Sequence, residues 1–154
     1  MPPCTVKTEK FISHVGVISL DVSDPANVKE QGRAAVSGGL ISSRLVNGKL
    51  LLVTEFYAGD ADFLDESTFI PQIDTGDGTF SIPVDDIVSP EKLSSSRYTV
   101  VCRFDNETLA LEDQTALLSY SDAVYVSADN VFAVRRYNEK TDFEDITFNL
   151  VMTE

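Results

Sequence analysis

At 154 residues, with 43% hydrophobic side chains, the chain can bury the core of one ordinary domain and is too apolar for a disordered tail. A net charge of −13 opposes unassisted binding to nucleic acid or an anionic membrane and favours cationic ligands or metal ions, although acidity also serves solubility alone. No apolar run reaches the roughly 18 residues of a membrane-spanning helix, and the opening MPPCTVKTEK lacks the apolar core of a signal peptide.

Residues 1–10 form a polar lead with two prolines, and residues 11–154 read as one β-rich domain. Phe11 to Val22 alternates and ends in Asp21-Val22-Ser23-Asp24-Pro25, where short polar side chains bond the local backbone and Pro25 cannot donate to a sheet. Asn27 to Val36 forms the next strand region, closed by Ser37-Gly38-Gly39. Leu40 to Val46 and Lys49 to Tyr57 then flank Asn47-Gly48, the pair that most readily supplies positive φ at both centres of a two-residue hairpin turn.

Arg97 to Tyr137 reads as one four-stranded antiparallel sheet: Tyr98 to Phe104, a turn at Asn106 to Thr108, Leu109 to Leu118, and a hairpin of Val124 to Val126 with Val131 to Val134. Val17 to Phe56 has the same strand rhythm. Two such units of about 40 residues predict a blade repeat, since a single sheet needs neighbours to bury both faces. Asp142 to Met152 is a last strand without a downstream partner, expected to start a further blade or to complete the first across a ring. No segment has the spacing and caps of an amphipathic helix.

Between these units, residues 58–96 are rich in Asp, Gly and Pro, with isolated apolar anchors at Phe63, Phe69, Ile73, Phe80, Ile82 and Ile87. So long a connection is expected to be functional, ordered by its anchors, or partly mobile. Asp60, Asp62, Asp65 and Glu66 form the candidate metal set. Clustered carboxylates suit Ca²⁺, although their spacing is not that of an EF-hand and a solvated acidic loop is the better explanation of them. Tyr57, Phe69, Arg135 and Arg136 are the candidate ligand-binding residues, weighed against core packing for the aromatics and a solvated strand end for the arginines. Asp85-Asp86 is the one adjacent aspartate pair, but neighbours on an extended strand face opposite ways, and His14 lies near no nucleophile motif. Cys4, Cys102 and a single histidine do not make a zinc site. Cys102 alternates with apolar residues and is expected as a buried thiol, with a Cys4–Cys102 disulfide left open.

Leu20 to Pro25, Ile41 to Val46 running into Leu50 to Thr54, Phe69-Ile70-Pro71 followed by Ile82 to Ile87, and Tyr98 to Val101 with Val124 to Ser127 occur in an order that resembles one family. That family is the bacterial secreted proteins with a C-terminal β-propeller domain distantly related to WD-type repeats. The resemblance implies an all-β fold of antiparallel four-stranded propeller blades, an extracellular or cell-surface parent protein, and no catalytic residues to carry over. Propellers have about four to eight blades and this length supplies about three, which leaves a fragment, a ring closed by association, or strands that settle into something other than a ring. The expected function is a non-catalytic binding or scaffolding module that recognises a protein or carbohydrate through inter-blade loops. The alternative is a propeller-type hydrolase or lyase using the acidic loop, with or without calcium; no other cofactor is expected. Self-association through exposed blade edges is a further expectation.

Overall fold

The computed structural model describes residues 12–59, 61–91, 95–127 and 130–136, and the backbone of 146–150. The strands are β1 (His14–Asp21), β2 (Lys29–Ser37), β3 (Gly39–Val46), β4 (Lys49–Tyr57), β5 (Gln72–Asp74), β6 (Thr79–Ser81), β7 (Ile87–Val88), β8 (Arg97–Asp105), β9 (Leu111–Leu117), β10 (Ala123–Val126), β11 (Val131–Arg135) and β12 (Ile146–Leu150). They form a four-stranded sheet ordered β1-β2-β5-β6, a five-stranded sheet ordered β3-β4-β8-β9-β7, and a three-stranded sheet ordered β10-β11-β12. All pairings between these strands are antiparallel except the short β7–β9 contact.

The local turn chemistry is as the residues predict. Asn47 and Gly48 adopt φ of 50° and 75°, and Val46 pairs with Lys49 across the turn. Asp21 accepts the Ser23 N–H at 2.9 Å and Asp24 that of Ala26 at 3.1 Å, so the turn before Pro25 is held by the side chains expected to hold it. At the end of the β10–β11 hairpin the Ser127 N–H donates to the Asn130 carbonyl at 2.9 Å.

The grouping of strands differs from the sequence expectation. Arg97 to Tyr137 does not make one sheet: β8 and β9 join β3 and β4, whereas β10 and β11 pair with β12. Val17 to Phe56 likewise divides between two sheets. The cause lies in β4 and β8, which pair along nine residues from Lys49↔Asp105 to Tyr57↔Arg97. Leu52, Phe56, Tyr98, Val100, Cys102 and Phe104 point to one side of this pair and pack against Ala34, Val36, Ile73 and Ile82. Val53 and Val101 point to the other side and meet Val131, with Val124 and Val126 alongside. Only a central sheet covered on both faces buries both sets, which is why the runs LLLV and VVC are continuously apolar rather than alternating. The last strand neither begins a new sheet nor pairs across the molecule, because β12 lies antiparallel beside β11.

The 58–96 connection is also more than a loop. It lends the β5–β6 hairpin to the four-stranded sheet and β7 to the edge of the five-stranded one, and two single 3₁₀ turns lie at Glu66–Thr68 and Val84–Asp86. Ile73 and Ile82 are buried as anchors, whereas Phe80 is exposed and Phe63 stands almost wholly in solvent. The chain passes from the first sheet to the second at Gly38, whose φ of 105° and approach to the Glu55 carbonyl leave no room for a Cβ. Thr54 seals this corner by donating its buried hydroxyl to the Ser37 carbonyl at 2.8 Å.

Candidate recognition site

The most distinctive surface of the molecule is the tip of the long connection, residues 61–69. Asp65 donates its N–H to the Asp62 carbonyl at 2.8 Å, closing a turn whose central residues are Phe63 and Leu64. The Asp62 carboxylate accepts the Leu64 N–H at 3.1 Å, and the Asp65 carboxylate accepts from the Ser67 N–H and hydroxyl at 3.1 and 2.6 Å. Thr68, buried beneath them, accepts the Asp62 N–H at 2.7 Å, and its hydroxyl reaches the Asp62 and Asp65 carbonyls at 3.1 and 2.8 Å. Short Asp, Ser and Thr side chains thus satisfy the backbone of a loop that has no ladder to satisfy it.

The consequence is a fixed tip with its apolar residues turned outward. Phe63 is 87% exposed and Leu64 98%. The Phe63 ring leans on half-buried Phe69 at a centroid separation of 5.9 Å and an interplanar angle of 49°, so Phe69 braces the tip from behind. The surrounding charge has one sign: residues 58–96 hold nine Asp and Glu against one cation, Lys92.

The other predicted residues are placed separately. Tyr57 is 60% exposed at the end of β4, with the Arg97 guanidinium 5.5 Å from its ring centroid and Arg97 itself paired to Glu55 at 2.6 Å. Arg135 lies over the Tyr120 ring at 4.4 Å and donates to the Ser119 hydroxyl at 2.9 Å. Ser119 and Thr99 are both buried and joined by a hydroxyl-to-carbonyl bond of 3.0 Å, so this group pins β11 to the segment after β9. Arg136 donates its backbone N–H to Asp122 at 2.5 Å. Of the candidate metal set, Asp60 falls outside the described residues; Asp62, Asp65 and Glu66 belong to the tip, where the first two carboxylates cap the loop. Among the described residues no three His, Cys, Asp or Glu side chains converge as a metal-holding group. Asp85 is exposed while Asp86 accepts from Gln114 at 2.7 Å, so the pair does not share a site. His14 is exposed, and its ring lies 3.1 Å from the Ile12 carbonyl. Cys102 is buried and free, its thiol pushed up to about 12 chiefly by burial, while Cys4 lies outside the described residues.

Leu64 is the residue that sequence reading missed. The signal was there in Asp62-x-x-Asp65-x-Ser67-Thr68, a run of side chains able to cap their own turn, which leaves positions 63 and 64 as the ones that project.

Three sheets stacked face to face, joined by hairpins and by one elaborated connection, define a protein of the bladed all-β class. A family model described as Beta propeller domain matches residues 3–151, and the chain belongs to that family. No curated protein and no solved structure matches it. Among the described residues no helix is long and apolar enough to cross a membrane.

Proposed function

We propose that this propeller module is a non-catalytic binding or scaffolding unit of an exported bacterial protein, and that it recognises its partner through the 58–96 connection. The observation that carries this reading is the fixed tip: two large apolar side chains held in solvent by a closed set of backbone-capping bonds. An apolar pair on a slack loop would fold back onto the sheet, whereas this one is oriented away from it. Stacked sheets supply the rigid base from which such a loop acts.

The test is to probe peptide and glycan arrays with the folded chain and with a Phe63→Ser, Leu64→Ser variant. The variant keeps the melting temperature of the parent and loses the array binding. Binding that survives the double substitution, or turnover of a bound polysaccharide by the chain, refutes the reading.

A further inference from the structure

Resting on that reading of the tip, we propose that the partner is a protein presenting an apolar pocket rimmed by lysine or arginine, into which Phe63 and Leu64 insert. Four observations lead there. The tip is convex, so its complement is concave. Its two outermost side chains are apolar, and Leu64 carries no group that could answer the hydroxyls of a sugar, which sets a carbohydrate aside. The tip is ordered before binding, through the Asp62, Asp65 and Thr68 bonds, so insertion does not require a loop to be frozen. Of the two, Phe63 is of the aromatic type that protein interfaces enrich, and Leu64 beside it adds apolar area to the same contact.

Charge specifies the rim. Asp62, Asp65 and Glu66 flank the two anchors along the chain, and among the described residues no ion pair neutralises them. The whole connection is acidic, as is the chain at −13. Docking the tip against an acidic surface would bring like charges together around a desolvated contact, whereas a basic rim pairs with these carboxylates and speeds encounter. The same sign opposes an anionic bilayer.

The chemistry is testable with defined hosts. Aminated β-cyclodextrin offers an apolar cavity ringed by ammonium groups, and carboxylated β-cyclodextrin offers the same cavity with the opposite rim. Calorimetry and ring-proton shifts of Phe63 should show the aminated host binding at least about tenfold tighter than the carboxylated one, a preference that shrinks as salt shortens the screening length. Phe63→Ser with Leu64→Ser abolishes the aminated-host signal, and Asp65→Asn with Glu66→Gln reduces the preference while leaving the fold intact. Array peptides that bind should be apolar and basic. Equal affinity for both hosts, or array hits that are acidic, overturns this inference while the recognition role of the tip stands, provided the double serine variant still loses them. Array binding untouched by that variant removes both. Co-sedimentation with neutral phosphatidylcholine vesicles that depends on Phe63 and Leu64 would assign the tip to a lipid surface. A doubled mass by light scattering that the variant abolishes would assign it to a second copy, and either result overturns the protein-pocket assignment.

Discussion

Ile73→Ala and Phe63→Ala together test the division of the long connection into a part that builds the core and a part that is displayed. Ile73 sits on β5, paired with Val36 and Phe80, and is fully buried among the residues between the four- and five-stranded sheets. Truncation to alanine removes three carbons, each worth about 0.8 kcal/mol of transfer free energy, for roughly 2.4 kcal/mol. The cavity left between two sheets that cannot close on it adds to this, which places the loss at about 2–5 kcal/mol. In a chain of this size each kcal/mol moves the melting temperature by about 2–4 °C, so a loss near 3 kcal/mol lowers it by roughly 6–12 °C. Phe63 contributes almost no buried area, and its truncation falls within about 0.5 kcal/mol of zero. Urea unfolding followed by far-ultraviolet circular dichroism reads both variants. Equal destabilisation by the two substitutions, or a cost below about 1 kcal/mol for Ile73→Ala, would show that β5 is not part of the core.

Three further outcomes follow from the corners and the titrating groups. Gly38→Ala forces a Cβ to within 2.3 Å of the Glu55 carbonyl oxygen at a φ of 105°, and is expected to destabilise by more than the roughly 0.4–1 kcal/mol that alanine gains at an unstrained glycine site, read by the urea midpoint. Asp105 is held down to about 2 by bonds from the Thr108 N–H and hydroxyl and the Glu107 N–H. Because its folded value lies below its unfolded one, its contribution is present above about pH 4 and fades as pH falls towards 2; Asp105→Asn should flatten the fall in urea midpoint across that window. Cys102 has the opposite shift for an acid, so the folded state keeps its proton while the unfolded chain loses it above about pH 8.5, and stability drains away as pH rises from there towards 12. Cys102→Ser or Cys102→Ala should blunt that alkaline loss, and iodoacetamide at pH 8 should leave the native thiol unmodified.

The turns were legible because each is decided by the residues that make it. Asn47-Gly48 needs no distant partner to adopt positive φ, and Asp21 and Asp24 bond backbone two residues away. Strand positions were legible for a similar reason, since the apolar run at Leu50 to Val53 and the β-branched and aromatic residues of Tyr98 to Phe104 mark them locally. Which strands share a sheet was not. A period of two assigns faces, not neighbours, and the β4–β8 pairing is made between strands separated by the entire long connection. Double-sided burial of Leu52 and Val53, or of Val100 and Val101, is the feature from which a central sheet can be inferred. Within the connection, Ile73 and Phe63 look alike as isolated apolar residues. What separates them is hydrogen bonding: Ile73 lies on a strand that extends a sheet, whereas Phe63 occupies a turn already satisfied by Asp62 and Asp65.

The β4–β8 pairing also sets the order of events when this chain folds. Its two nine-residue strands meet only after the residues between Tyr57 and Arg97 have been looped out. The entropy of closing such a loop grows slowly, by about 0.6 kcal/mol for each doubling of length, so the finished protein is nearly indifferent to how long the connection is. The rate is not, because non-local pairing must be searched for before it is rewarded. On contact order, the local β1–β2, β3–β4 and β10–β11 hairpins are expected to form before the β4–β8 pairing closes the middle of the stack. Residues grafted into the tip would therefore alter how fast the domain assembles before they altered how stable it is, which makes the connection an accommodating place for new binding surfaces to be tried.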